Sequence, residues 1–432
     1  MNRTYASQRV ALGVVTTIFF MWGFITVLND VLIPHLKSVF TLNYAQAMLV
    51  QFIFFGAYFV MSLPAGRALA HFGYRGGIVL GLAVTGVGAL LFIPAAQMVS
   101  YALFLFAFFV LASGITLLQV AANPYVSLLG DERYASSRLN LAQALNSLGT
   151  TLAPKIGGLL ILSSAVLAAD QIDALAPAAQ AAYRTQQAQL VTVPYLLLAG
   201  VLFVLAIGVR LFRLPPLTEA TAQGDPQAHT FADVLRVRHV RNGVAGIFLY
   251  VGAEVAIGSF LISYLSMPDI GGFSEGVAAG YVSLYWGGAM VGRFVGFLLL
   301  RRIDARTLLA IFAAVACVLL LVTMTTSGSV AVSSIVAIGL FNSIMFPNIF
   351  TLGIERLGPL TDKAASLLVM AIVGGAIVPL LQGVLADRIG VQHAFVLPLA
   401  CYVYIIWYGL RGSRIDASMQ SAQGIATSRA GH

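Results

Sequence analysis

The chain has 432 residues, of which 59% are hydrophobic and only 9% charged, with a mean hydropathy of +0.91. A water-soluble domain carries about 25% charged residues, so a surface built from this chain cannot face mostly water. The net charge of +8 would suit a nucleic-acid ligand, but Lys and Arg gather in alternate polar loops, the pattern of a membrane protein, and this excludes nucleic acid as a partner.

Apolar runs of about 20 residues recur along the chain, each long enough to cross a roughly 30 Å hydrocarbon core as a helix. In chain order they predict twelve spans, at 10–36, 44–66, 76–97, 100–129, 138–163, 189–212, 243–266, 277–300, 305–325, 329–353, 363–386 and 393–411. No small-residue cleavage site follows the first run, which is therefore expected to stay as a helix. Residues 164–188, rich in Ala and Gln, read as a loop or short surface helix between spans five and six. The longest polar stretch, 213–242, carries Pro, Gly and both signs of charge and reads as a cytoplasmic linker. It divides a six-helix half at 1–212 from a second at 243–412, and the polar tail 413–432 is expected to be disordered. With both termini inside, all but Lys37, Lys155, Arg184 and Arg388 of the 24 Lys and Arg fall on the cytoplasmic side. The fold class expected is thus an all-α, multi-pass protein of a bacterial inner membrane, with the lipid bilayer as its surroundings and a monomer as its form.

The two halves resemble each other. IFFMWGFITVLNDVLIPHL from Ile18 aligns with IFLYVGAEVAIGSFLISYL from Ile247, pairing Gly23 with Gly252 and Leu32 with Leu261. Span five, with Gly149 and Pro154, aligns with span eleven, with Gly374 and Pro379. Two six-helix halves around a central cavity are the arrangement expected of a major facilitator transporter.

An ionisable side chain inside a span is costly in lipid, so it faces a wet cavity or has a partner. Two acids stand away from the span ends, Asp30 in VLNDVLIPH and Glu254 in YVGAEVAIG. Glu254 lies 13 residues beyond Arg241, about 20 Å along a helix and so near the midplane. An acid in a partly dry cavity can take up and release a proton as its exposure changes, and both are candidates for proton coupling. Set against this, each could be a structural carboxyl, in a hydrated vestibule for Asp30 or bonded to a neighbouring helix for Glu254.

Amides accompany the acids. Gln119 and Asn123 share a face of span four, and Gln143 and Asn146 a face of span five. Asn29, Gln51, Asn342 and Asn348 lie in spans one, two and ten. Amides both donate and accept, which suits neutral polyhydroxy ligands, although polar side chains in membranes also tie helices together. Trp22, Tyr250 and Trp286 are central enough for a ring to stack on a sugar, with core packing the blander reading for each. Cys317 and Cys401 sit inside apolar segments and the six His are scattered, so no disulfide framework, metal site, cofactor motif or catalytic constellation is expected.

The stretches MWGFITVLNDVLIPHLKSVF, LLQVAANPYVSLLG, SRLNLAQALNSLGTTLAP and YVGAEVAIGSFLISYL resemble the fucose–galactose–glucose:proton symporter family of the major facilitator superfamily. The resemblance implies that Asp30 matches an aspartate used in proton coupling by the L-fucose permease, and that Asn146 matches a sugar-contacting asparagine. Gln119 stands where that permease has an essential glutamate, and Glu254 where it has a glutamine. Both departures point to the glucose/galactose branch, with the second acid moved from span four to span seven. The superfamily's general motif after span two is degraded in GRALAHFGYR, with Ala70 at the usual acidic position. The expected function is proton-coupled import of a hexose such as glucose or galactose. The alternatives are N-acetylglucosamine or fucose as substrate, sodium as the coupling ion, a drug/proton antiporter, or a receptor that does not transport.

Overall fold

The computed structural model describes residues 2–40, 44–161, 175–212, 214–215 and 230–415. Helices form the first half: α1 (Asn2–Val39), α2 (Tyr44–Gln97), α3 (Tyr101–Leu128), α4 (Ala135–Ile161), α5 (Pro177–Gln189) and α6 (Thr192–Leu211). They continue with α7 (Phe231–Arg236), α8 (Arg238–Leu265), α9 (Glu275–Leu299), α10 (Ala305–Thr325), α11 (Gly328–Asn342) and α12 (Met345–Gly353). The last are α13 (Thr361–Met370), α14 (Gly374–Ile389), α15 (Val391–Ala394) and α16 (Val396–Trp407).

Among the described residues, ten helical stretches are long and apolar enough to cross a membrane. Two physical effects reconcile ten with twelve. α2 holds two spans, two helices joined by a kink at Gly73, whose non-helical φ of 66° favours a residue without Cβ. α4 is long enough to span, but its buried Asn140, Gln143, Asn146 and Ser147 dilute its hydropathy. The chain therefore has twelve transmembrane helices.

Several boundaries differ from the expected ones. α8 begins at Arg238, inside the stretch read as linker, and α7 precedes it. A capping box opens α7: the Thr230 side chain accepts from Asp233 N while the Asp233 carboxylate accepts from Thr230 N at 2.8 Å. Span ten is broken into α11 and α12, and span eleven into α13, a 3₁₀ turn at Ala371–Val373, and α14. The expected helix near 164–188 is α5, opened by Pro177 in its first turn, whereas 164–174 lie outside the described residues. Most of the 413–432 tail, from 416 onward, also lies outside them.

The chain clusters into two compact units, Met1–Thr218 with Ala289–Phe297, and Glu219–Gly288 with Leu298–His432. Lipid offers no hydrophobic drive between helices, so small residues that let backbones meet do much of the packing. In the first unit α4 lies so close to α1 that a Cβ on Gly149 would fall 2.2 Å from the Phe20 carbonyl oxygen. In the second, α14 lies so close to α8 that a Cβ on Gly374 would fall 2.0 Å from the Phe248 carbonyl oxygen. The same helix crossing is thus built twice, by glycines that the internal alignment pairs, against carbonyls one position apart in that alignment.

Candidate functional site

In the first unit the polar side chains come from α1 to α4. Asn146 donates from Nδ2 to the Phe19 carbonyl oxygen at 2.9 Å, tying α4 to α1 one turn from the Gly149 crossing. Trp22, on α1, packs its ring against Phe19 with centroids 5.3 Å apart and hydrogen-bonds to the Tyr58 hydroxyl of α2. That hydroxyl also accepts from Gln119 Nε2 at 2.7 Å, joining α2 to α3. Gln119 is buried and its Oε1 accepts no hydrogen bond. One turn on, Asn123 is 0% exposed, and neither its Oδ1 nor its Nδ2 has a hydrogen-bond partner. On α4, Gln143 is buried with Nε2 unpartnered. Such groups are rare because each has given up water without replacement. Here four unfilled atoms lie on two helices of one unit.

The second unit handles its central amide differently. Asn342, at the end of α11, donates from Nδ2 to the Tyr285 hydroxyl of α9 at 2.7 Å and accepts at Oδ1 from the Tyr402 hydroxyl of α16 at 2.6 Å. Its backbone oxygen accepts from the Tyr250 hydroxyl of α8 at 2.9 Å. Three tyrosines thus close around one asparagine. Glu254, half-buried on α8, lies within electrostatic range of the Tyr285 and Tyr402 hydroxyls. Trp286 is 40% exposed, packs edge-on against Tyr285 at 5.2 Å, and lies beside Gly258 of α8.

The structure therefore gathers Gln119, Asn123, Gln143, Asn146 and Trp22 within the first unit, and Glu254, Tyr250, Asn342 and Trp286 within the second. Asn342 and Tyr250 each hydrogen-bond from one helix to another. Asn348 is likewise a tie, donating to the Ala305 carbonyl oxygen at 3.4 Å. Gln51 is half-buried on α2. Asn29 and Asp30 belong to α1, and their side chains lie outside those described. Among the described residues no three His, Cys, Asp or Glu side chains cluster.

Sequence reading missed Tyr58, Tyr285 and Tyr402, which orient the amides, and Gln382 of α14, which is 0% exposed with both amide atoms unpartnered. One signal was present for two of them. Tyr58 and Tyr285 are 227 residues apart, and Gln119 and Asn342 are 223 apart, close to the offset of the internal repeat. The tyrosine-to-amide hydrogen bond is repeated with them, at 2.7 Å in each unit.

Comparison with known proteins places this arrangement. The family model described as the Major Facilitator Superfamily matches residues 11–371. The glucose/galactose transporter of Brucella abortus is 53% identical over 405 residues, covering 94% of each chain. The L-fucose-proton symporter of Escherichia coli K12 is 35% identical over 405 residues, covering 92% of each. The crystal structure of the fucose:proton symporter in its outward conformation superposes with a TM-score of 0.87 at 33% identity, covering 95% of this chain and 100% of the other. The chain belongs to the Major Facilitator Superfamily, as a multi-pass inner-membrane protein of twelve helices.

Proposed function

We propose that the chain is a proton-coupled hexose symporter, of the glucose/galactose type, that works by alternating access and carries out no covalent chemistry. The observation that carries the reading is the set of buried amide atoms left open on α3 and α4: Gln119 Oε1, both Asn123 atoms and Gln143 Nε2. They offer acceptors and donors together and no charge, which matches the hydroxyls of a neutral sugar. The name carried by the Brucella relative, at 53% identity, supports glucose and galactose over fucose.

Coupling falls to Asp30 and Glu254. Glu254 has tyrosine hydroxyls nearby and only partial exposure, so a change of hydration around it shifts the balance between its charged and neutral forms. A proton bound there neutralises a charge that is costly to carry through lipid. The protein's ligands in this reading are one sugar and a proton, handled by a monomer.

The deciding experiment is uptake of radiolabelled glucose or galactose into proteoliposomes under an imposed pH gradient. Accumulation driven by the proton gradient, competed by both sugars and weakly by fucose and N-acetylglucosamine, is the expected result. Accumulation driven by a sodium gradient instead, or none with any hexose, overturns the proposal.

A further inference from the structure

Arginines at the cytoplasmic ends of the helices are of two kinds. Some are spent on the protein itself. In the first unit Arg75 donates from Nε to the Val209 oxygen at 3.3 Å. Arg138 donates from Nε to the Val126 oxygen at 3.1 Å and from Nη2 to the Ser127 oxygen at 2.6 Å. These oxygens lie in the last turns of α6 and α3, where a cation meets the negative end of the helix dipole. In the second unit Arg306 pairs with Glu355 and Arg236 with Asp233. Arg238, Arg241 and Arg411 are of the other kind. All three are exposed, and among the described residues none of their guanidinium groups bonds to an acid or a carbonyl oxygen.

These three come together at one seam of the second unit. Asn242 of α8 donates from Nδ2 to the oxygen of Gly412, just beyond α16, at 2.9 Å, and its own oxygen accepts from the Tyr404 hydroxyl at 3.0 Å. Arg241 and Arg411 are the chain neighbours of that bonded pair, each about 3.8 Å from it by one Cα step. Arg241 also lies within electrostatic range of the Tyr404 hydroxyl. Arg238 precedes it by three residues on the same face of α8. Toward the hydrocarbon, the Tyr404 ring lies against Gly246 of α8 and packs on Trp407 with centroids 5.1 Å apart. Val403, Trp407 and Leu410 recur at helical spacing and are exposed, so acyl chains cover them. With both termini on the cytoplasmic side, α8 starts and α16 ends at the inner leaflet, and Trp and Tyr rings there sit at headgroup level.

We propose that the seam between the start of α8 and the end of α16 binds an anionic phospholipid of the inner leaflet, with its phosphate held by Arg241 and Arg411. Arg238 stands at the edge of the site, and the acyl chains lie along Trp407 and Leu410. A guanidinium presents two parallel donors to phosphate oxygens, and these are the arginines not already spent on an acid. Basic pockets between spanning helices on the cytoplasmic side suit such headgroups. A lipid is favoured over a soluble phosphate because the arginines stand next to a face that only acyl chains cover. The site is independent of the sugar and proton reading.

The test reconstitutes the full chain in vesicles and measures quenching of its tryptophan fluorescence by brominated-chain phosphatidylglycerol or phosphatidylcholine. In wild type, phosphatidylglycerol should quench more at equal mole fraction. That excess should vanish in Trp407→Phe, which leaves Trp22 and Trp286 in place. The double variant Arg241→Gln, Arg411→Gln should raise the phosphatidylglycerol fraction that gives half the excess fivefold or more. Arg411→Lys keeps the charge without the fork and should fall between. Arg210→Gln with Arg302→Gln removes two other exposed arginines from the cytoplasmic ends and should stay within twofold of wild type. Only variants monodisperse in detergent are compared. Equal quenching by the two lipids, or equal shifts in the two double variants, would overturn the proposal and leave only the general attraction of positive charge to the membrane. Loss of the excess on adding inorganic phosphate would overturn it in favour of a soluble anion.

Discussion

Replacing Tyr58 by Phe deletes one oxygen from α2 and leaves the ring in place. The lost hydroxyl accepts from Gln119 Nε2 at 2.7 Å and is bonded to the Trp22 side chain. Gln119 then holds a buried N–H with no acceptor, beside an Oε1 that already lacks a donor. An unsatisfied buried donor costs about 1–3 kcal/mol. Part of that cost appears as lost stability, and part as freedom of a side chain that was fixed for the sugar. Ordering one flexible side chain on binding costs about 0.5–1.5 kcal/mol, so hexose affinity should fall roughly two- to tenfold. The assay is direct sugar binding to purified protein, in a double-mutant cycle with Gln119→Leu. If Tyr58 acts through Gln119, the pair should show a coupling of about 0.5 kcal/mol or more. Additivity of the two substitutions, or wild-type affinity in Tyr58→Phe, would refute the orienting role.

Glu254→Gln keeps shape while removing charge and titration, so proton-driven accumulation should be lost and the pH dependence of sugar binding should flatten. An unchanged pH profile would return Glu254 to a structural carboxyl. Asp30→Asn should abolish accumulation against a gradient yet leave sugar exchange measurable, which counterflow in proteoliposomes would show. Gln382→Met replaces a fully buried amide without partners by an apolar side chain of similar size, and should leave stability unchanged or raise the melting temperature in detergent. Gly149→Ala puts a Cβ 2.2 Å from a backbone oxygen and should destabilise by about 1–3 kcal/mol, whereas Gly200→Ala, with nothing within 4 Å, should not; thermal unfolding compares them.

The fold was legible because lipid writes itself into composition. Runs such as Arg238–Leu265 and Ala305–Thr325 are apolar enough that length alone identifies them. The junctions were less legible, since hydropathy cannot see a change of direction. The turn at Gly73 does fall in the expected connection between spans at 66 and 76, but the break between Asn342 and Met345 lies inside a run read as one span, marked only by Asn342, Ser343 and the following Pro347. At the site, single residues could be nominated but not their partners. Asn342 and Gln119 look alike in sequence, both amides inside apolar helices. One has both amide atoms engaged by tyrosines 57 and 60 residues away, and the other has one atom left open. No local pattern encodes that difference.

That difference also explains why the repeat did not leave two equal sites. Each unit inherits a tyrosine hydroxyl accepting from an amide, Tyr58 with Gln119 and Tyr285 with Asn342. In the second unit Tyr402 supplies the remaining donor, and the amide becomes a fixed joint between α9, α11 and α16. Glu254 lies within electrostatic range of the same hydroxyls. In the first unit no second tyrosine closes the amide, and Asn123 and Gln143 add further open valences on α3 and α4. Closing one amide makes a rigid joint, and leaving the other open leaves acceptors and donors for the sugar hydroxyls of the proposed function. On the proposed reading the open copy serves the sugar, while the two coupling acids fall one in each unit, Asp30 in the first and Glu254 in the second.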